Sequence, residues 1–338
     1  MNDTTIRDVA REAGVSIATV SRVMNDPEQV NIVTRARVIE TIDRLKFVPR
    51  NEARGRARRD EGRIGVLAPF FTYPSFVQRL RGVAAALAET GYELVIYNVD
   101  TTIRRDRYLS TLPLLRRLDG LIVMALEIDD AVAERLQHHE LPMVLIESNP
   151  AAFNRTHAQF TRIDIDDVEG GRIAGEYLIA RGYQRIGFVG DEEVPDYALH
   201  TSDQRLNGLR HALAAAGRVL DEGLVRLSPH GLEQAEADCH RLLDLAEPPD
   251  AIFSPSDTQA MGVLRAARAR GLRVPEDLAI IGFDDVDIAE YIGLTTIRQS
   301  LDESGRVAVD QVLARIADPT RPVQHVRLQL QLVRRMTA

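Results

Sequence analysis

Apolar positions recur along this chain at two different spacings. From Thr5 to Lys46 the spacing is helical, in three short stretches. Thr5-Ile-Arg-Asp8 has the form of a capping box, a hydroxyl at the start and a carboxylate three positions on. The helix it opens runs to about Ala13, and Gly14 can take the left-handed conformation that ends it. Ser16 is a fresh N-cap for a second helix from Ile17 to about Asn25, stopped by Asp26-Pro27. Asn31 caps a third, in which Ile32, Val38, Ile39, Ile42 and Leu45 recur at helical spacing. Residues 47–61 form a polar, arginine-rich connector. Beyond Arg63 short apolar runs alternate with amphipathic helical stretches: Ile64–Ala68, Glu93–Asn98, Gly120–Ala125 and Met143–Ile146, then Arg185–Gly190, Val225–Leu227, Asp250–Ser254 and Leu278–Asp284. Strand-then-helix alternation predicts parallel sheets covered on both faces. The phrase Glu89-Thr-Gly-Tyr-Glu-Leu-Val-Ile is echoed in Ile179-Ala-Arg-Gly-Tyr-Gln-Arg-Ile. The expected architecture is therefore an all-α headpiece plus an α/β core of two related parallel-sheet subdomains, with a ligand cleft between them at the carboxyl ends of the strands.

Charge sharpens this division. The chain is acidic overall, with a net charge of −8, yet residues 1–60 carry a balance of +3 and the rest −11. Between Arg44 and Arg59 seven basic residues face one acid, Glu52. A basic arm on an acidic body suits a small module for a polyanion joined to a larger body with a different task. The 338 residues are too many for one compact core. The longest apolar runs, such as Leu121–Leu126, are strand-sized, so no membrane span is expected. A single cysteine, Cys239, excludes an internal disulfide framework and a thiolate metal cluster. Residues 1–15 carry Asp3, Asp8 and Glu12 and no apolar stretch, so no secretory signal is read and the protein is expected in the cytoplasm.

The first two helices meet the packing demands of a helix-turn-helix. That motif needs a small residue in the first helix, a glycine in the turn and a branched apolar residue facing back from the second helix. Ala10, Gly14 and Val20 supply these in register, and Ser16, Thr19, Ser21, Arg22 and Asn25 leave a polar outer face.

The segment from Thr5 to Asn25, TIRDVAREAGVSIATVSRVMN, resembles the N-terminal signature of the lac repressor family. The likeness continues through Thr34-Arg-Ala-Arg-Val and Phe47-Val-Pro49, then Pro74-Ser-Phe76, Leu118-Asp-Gly120 and Asp166-Asp-Val-Glu-Gly170. Farther on come Arg205-Leu-Asn-Gly208, Ser256-Asp257, Val274-Pro275, Gly282-Phe-Asp-Asp285, Leu294-Thr-Thr296, Gln299 and Leu332-Val-Arg334. The resemblance covers nearly the whole chain. It implies a helix-turn-helix headpiece over 1–46 and a hinge over 47–61. It also implies a core like that of periplasmic sugar-binding proteins, with one subdomain over 62–160 and 291–318 and the other over 161–290 and 319–338.

By the same resemblance, Ile17, Ala18, Ser21 and Arg22 face the major groove of operator DNA, where an arginine fork matches guanine O6 and N7. Thr5, Ser16, Thr19, Asn25, Asn31 and Thr34 fall at phosphate-contacting positions, which orient without specifying. In the hinge, relatives commonly place a leucine wedge where this chain has Arg56, preceded by Gly55. On a helix, Arg50, Arg54 and Arg58 share one face and Arg56 points roughly the opposite way. Two roles are open to Arg56, insertion into a narrow A·T-rich minor groove or one more phosphate contact.

The effector positions implied are Phe71, Tyr73 and Phe76 at the end of the first core strand, with Glu147, Arg205, Ser256, Asp284 and Gln299. Aromatic faces beside carboxylates and an arginine suit a sugar-like ligand. Ser256 stands where many relatives have asparagine. Two headpieces on a palindromic site require a homodimer, and no heptad tail follows the last strand to make a tetramer.

Weaker signals are set aside. His138-His139-Glu140 lacks metal-ligand spacing. Asp164, Asp166 and Glu169 match a calcium loop only loosely. Gly170-Gly171 and Gly175 do not follow a strand as a dinucleotide loop would. Cys239 reads as a small, partly buried helix residue. The sequence thus describes a sequence-specific DNA-binding regulator, a repressor controlled by a small ligand, with no enzymatic chemistry and no cofactor. The competing class, a periplasmic sugar-binding protein, would lack the headpiece.

Overall fold

A computed structural model describes residues 4–25, 29–45, 47, 62–115, 118–128, 130–137, 141–147, 160–192, 197–199 and 201–338. The hinge positions Arg50, Arg54 and Arg56, and the tract His138-His139-Glu140, lie outside them.

The headpiece contains α1 (Ile6–Glu12), α2 (Ile17–Asn25) and α3 (Ile32–Arg44). Thr5 and Asp8 form the expected capping box, Gly14 has φ +62° between α1 and α2, and Asn31 caps α3 through the Val33 N–H. Val9, Ala10, Ala13, Val20, Val23, Val38, Ile42 and Phe47 are buried together. Ala10 and Val20 occupy the inside positions that a helix-turn-helix demands.

Two sheets follow. The first is built from β1 (Gly62–Pro69), β2 (Tyr92–Val99), β3 (Gly120–Met124), β4 (Met143–Ile146), β5 (Thr161–Asp164) and β11 (His325–Arg327), in the order β11-β5-β4-β3-β1-β2. The second is built from β6 (Ile186–Asp191), β7 (Val225–Ser228), β8 (Ala251–Phe253), β9 (Ala279–Asp284), β10 (Thr295–Arg298) and β12 (Gln331–Val333), in the order β12-β10-β9-β8-β6-β7. In each, the first five strands in chain order run 2-1-3-4-5, the doubly wound arrangement whose order reverses beside the first strand. The intervening helices are α4 (Pro74–Leu87), α5 (Thr102–Leu115), α6 (Asp130–Gln137), α7 (Asp167–Ala180), α8 (Thr201–Ala215), α9 (Leu232–Leu243), α10 (Asp257–Ala269), α11 (Asp287–Tyr291) and α12 (Leu301–Ala317). Successive strand residues serve opposite faces. Phe188, Phe253, Ile281 and Phe283 enter one core cluster of the second sheet, and Val189, Ile252 and Ile280 enter the other.

All eight expected core strands form. The chain divides into one unit of residues 1–71, 83–162 and 306–325 and a second of 72–82, 163–305 and 326–338. This differs from the expectation that the chain returns to the first subdomain from about Tyr291. Thr295, Thr296 and Ile297 are buried, and β10 pairs with β9 in parallel, Thr295 opposite Ile281. Those hydrogen bonds make it the fifth strand of the second sheet, so the return begins only at Arg306. Residues 319–325, expected in the second subdomain, fall in the first unit, and residues 72–82 fall in the second.

Two smaller readings also change. Gly170, Gly171 and Gly175 do follow a strand, β5, but they lie inside α7 and not in a loop. There Gly171 and Gly175 admit α8, and Gly170 admits the Phe283 ring: a Cβ on Gly171 would overlap the Arg205 carbonyl, and one on Gly208 would overlap the Val168 carbonyl. Cys239 is fully buried, not partly, and burial pushes its thiol up to about 12. No helix among the described residues is long and apolar enough to cross a membrane.

Candidate functional site

The polar outer face of α2 is largely exposed. Ser16, Ile17, Ala18 and Arg22 are exposed on the turn and on α2, with Thr19 and Ser21 half-buried beside them. Ile17 keeps 45% of its surface in solvent, unusual for an isoleucine and suited to an apolar contact outside the protein. The Ser16 hydroxyl accepts from the Thr19 N–H at 3.0 Å, which fixes the start of α2. Among the described residues Arg22 meets no hydrogen-bond or ion-pair partner. Asn31 is exposed and Thr34 half-buried at the start of α3. Thr5 commits its hydroxyl to Asp8 Oδ2 at 2.6 Å. An ion pair between Arg44 and Glu12, at 2.9 Å, ties α3 to α1.

The second cluster stands at the carboxyl ends of the second sheet. Arg205 on α8 is 5% exposed. Its Nε donates to Asp167 Oδ1 at 2.8 Å and its Nη1 to the Pro255 carbonyl, while the guanidinium lies 3.6 Å from the Phe283 ring centroid. Asp284 ends β9 with φ +114°, and Asp285 follows at +58°. Such angles are costly for non-glycine residues and concentrate at functional sites. Asp284 Oδ1 sits 3.8 Å from Arg205 Nη1 and accepts from Gln299 Nε2 at 2.5 Å. Gln299 Oε1 in turn accepts from Arg79 Nη2 on α4 at 2.7 Å.

Ser256 caps α10 by accepting from the Gln259 N–H at 3.2 Å, and its hydroxyl donates to Gln259 Oε1 at 2.8 Å. Gln259 Nε2 donates to Asp191 Oδ1 at 3.0 Å. The same oxygen meets His230 Nδ1 at 2.9 Å, and the His230 ring stacks on Tyr73, centroids 4.9 Å apart and planes within 18°. Burial, then the Asp191 charge, raise the Tyr73 phenol above its usual range. Beneath lies Asp257, fully buried, accepting from the Val286 N–H at 2.8 Å and the Thr296 hydroxyl at 2.6 Å. Burial and the neighbouring Asp284 charge hold the Asp257 carboxyl well above the carboxylate range.

Six of the eight expected effector residues thus fall in the second unit: Tyr73, Phe76, Arg205, Ser256, Asp284 and Gln299. Hydrogen bonds and ion pairs gather Arg205, Asp284 and Gln299 directly, and Ser256 joins them through Pro255. Phe76 is buried at the start of α4. Phe71 and Glu147 belong to the first unit, where Glu147 follows β4 with φ +51° and Phe70 follows β1 with φ +47°. Sequence reasoning missed Arg79, Asp167, Asp191, His230 and Gln259. The signal for Arg79 was present: Gln78-Arg-Leu-Arg-Gly82 repeats Gln204-Arg-Leu-Asn-Gly208 with one change. Asp191 and His230 carry no local signal, because only the β6–β7 pairing brings them together.

Residues 5–50 match the family described as bacterial regulatory proteins, lacI family, and residues 175–338 match the periplasmic binding protein-like domain. The chain is similar to the HTH-type transcriptional regulator CelR of Thermobifida fusca, 32% identical over 340 residues, with 96% of this chain and 97% of that protein covered. It is 30% identical over 336 residues to the HTH-type transcriptional repressor PurR of Vibrio atlanticus (strain LGP32), covering 98% of each. A solved structure described as a transcriptional regulator CelR–cellobiose complex superposes with a TM-score of 0.72 at 31% identity, covering 99% of this chain and all of that one.

Proposed function

This chain belongs to the lacI family of bacterial regulatory proteins, and from that premise we propose that it is a homodimeric repressor released from, or locked onto, its operator by a sugar-like effector. It is a DNA-binding transcriptional regulator and not an enzyme. The headpiece match disposes of the periplasmic sugar-binding alternative. In the proposed complex Ile17, Ala18, Ser21 and Arg22 read the major groove, with the base code carried mainly by Arg22. Thr5, Ser16, Thr19, Asn25, Asn31 and Thr34, together with Arg50 and Arg54 of the hinge, meet phosphates, and Arg56 enters the minor groove.

One observation carries the effector reading. A guanidinium, a carboxylate and a carboxamide, Arg205, Asp284 and Gln299, converge in a buried site at strand ends. Hydroxyl groups donate to carboxylates and accept from guanidinium, so this set can hold a polyhydroxylated ring once its members exchange partners with the ligand. The cellobiose held by the similar CelR structure supports that chemistry. Tyr73 and Phe76 complete the proposed site within the second unit, with Ser256 setting its edge through Gln259, and Phe71 and Glu147 are proposed effector residues carried by the first unit. Ligand and DNA shift each other's affinity by one common factor, typically about 5–150-fold.

The test is selection of the full chain on random duplexes, followed by anisotropy titration of the selected site with neutral mono- and disaccharides. Enrichment of palindromes with half-sites one helical turn apart, and a shift in operator affinity with at least one sugar, are expected. Enrichment of non-palindromic sites would remove the dimer, and indifference to every sugar would remove the effector class.

A further inference from the structure

The five-residue phrase shared by α4 and α8 sits in equivalent places. Each helix follows the first strand of its sheet, β1 and β6, and each carries a buried arginine, Arg79 at 3% exposure and Arg205 at 5%. Three residues on, each carries a glycine that presses on a neighbouring backbone. A Cβ on Gly82 would overlap the carbonyl of Asp302, the second residue of α12, and a Cβ on Gly208 would overlap that of Val168, the second residue of α7. The partner helices are equivalent too, since α7 follows the fifth strand of the first sheet and α12 the fifth strand of the second. Each arginine then reaches a polar side chain at the entry to its partner helix, Asp167 for Arg205 and Gln299 for Arg79.

The two arginines are also joined to each other. Arg79 donates to Gln299, Gln299 donates to Asp284, and Asp284 faces Arg205. The Gln299 amide is therefore oriented from both sides, its oxygen toward Arg79 and its nitrogen toward Asp284. A ligand hydroxyl that takes Asp284 competes with that nitrogen and loosens the hold of the amide on Arg79. The α4 and α12 helices are the pair through which the chain passes from the second unit to the first, at 82/83 and 305/306, and the first unit includes the headpiece. Gly82 and Arg81 hold this pair together at the crossing, Arg81 bonding Asp302 at 2.7 Å and Asp287 at 2.7 Å.

We propose that Arg79 is the counterpart of Arg205 in the first repeat and acts as a coupling residue, reporting occupancy of Asp284 through Gln299 to the α4–α12 pair. This rests on the effector reading above, in which Asp284 meets the ligand. Arg79 is a positioning residue in this scheme: it transmits and does not itself grip the ligand.

The experiment uses the full chain, its selected operator, and cellobiose and ribose as probes. For whichever sugar binds, Arg79→Met is expected to keep sugar affinity within a few-fold while the ratio of operator affinities with and without sugar collapses toward one. Arg79→Lys, which restores a donor to Gln299, should recover part of that ratio. An unchanged ratio in Arg79→Met overturns the proposal, and so does loss of sugar binding as complete as in Asp284→Asn, which would make Arg79 a ligand contact. If neither sugar binds the wild type, the wider saccharide titration above judges the effector reading, and a ligand-free cycle decides the relay. Thermal unfolding of Arg79→Met, Asp284→Asn and the double variant should be non-additive, and additive in a Gln299→Leu background. Additivity in the wild-type background overturns the relay.

Discussion

The headpiece and the strand ends of the second sheet solve opposite problems. In the headpiece a small apolar core holds the helices, and Ser16, Ile17, Ala18 and Arg22, among the side chains proposed to act, stand outside it and exposed. At the strand ends the side chains proposed to act are buried and committed to one another, Arg205 to Asp167 and the Pro255 carbonyl, Gln299 to Asp284 and Arg79. A polyanion brings its own charge to an exposed face, so that face needs only shape and free donors. A small ligand must replace bonds the protein already makes, so its site is built as a satisfied network that can exchange partners. Affinity at the first face is added to the fold, whereas at the second it is traded against the fold.

The contrast breaks first at Arg205. Removing one partner of a buried, hydrogen-bonded ion pair strands the other and costs about 3–5 kcal/mol. Arg205→Met should therefore lower the unfolding free energy by about that amount, as read by urea titration of the full chain. The variant should lose its effector response as part of a general weakening. A variant that unfolds like wild type would show that the network is not traded against the fold.

The opposite result is expected at Arg22. Arg22→Ala should weaken binding to the selected operator by roughly 5–150-fold, the worth of a guanine fork at about 1–3 kcal/mol, and relax discrimination at one base pair. Its unfolding midpoint should stay at the wild-type value, because an exposed substitution without partners changes stability by about 0.5 kcal/mol or less. A destabilised Arg22→Ala would place that arginine in the fold and remove it from the reading face.

The same contrast decides how much was legible in the sequence. The headpiece read almost residue for residue, because caps, a turn glycine and helical spacing are local signals: Thr5, Gly14 and Asn31 do what their neighbours require. The central strands read equally well, being continuous buried runs such as Gly120–Met124. The strands without such a run escaped. β5 and β10 have four residues each and include threonine and arginine, with an aspartate ending β5, while β11 and β12 keep exposed residues at the margins of their sheets. Missing β10 displaced the expected return of the chain by about a helical turn and a strand. At the site, Arg205, Asp284 and Gln299 were reached through resemblance and not through any local pattern. Asp191, His230 and Gln259 come from three elements far apart in sequence, and the Tyr73 ring that covers His230 comes from a fourth. Only pairing of the strands makes them neighbours.

The smallest effect lies in the headpiece cap. Thr5 accepts from the Asp8 N–H, and Asp8 accepts from the Thr5 N–H at 3.0 Å and from its hydroxyl. The Thr5 bonds come first among the causes that hold the Asp8 carboxyl below its usual range, with Arg11 adding a smaller pull in the same direction. A carboxyl whose folded value is depressed contributes stability above its unfolded value, and that contribution is lost as pH falls through the folded value. Thr5→Ala removes the hydroxyl that both receives the helix N–H and holds the carboxylate, and loss of such a cap costs about 1 kcal/mol. The difference between wild type and Thr5→Ala, followed by headpiece unfolding in the full chain, should be largest near pH 7. It should shrink as pH falls below about 4, where unfolded aspartate takes up its proton. A difference that stays constant down to acid pH would assign the whole effect to the hydroxyl and none to the reciprocal carboxylate. Because both groups are local and exposed, operator affinity measured at neutral pH should fall only as far as one lost phosphate contact at Thr5 allows, and far less than in Arg22→Ala.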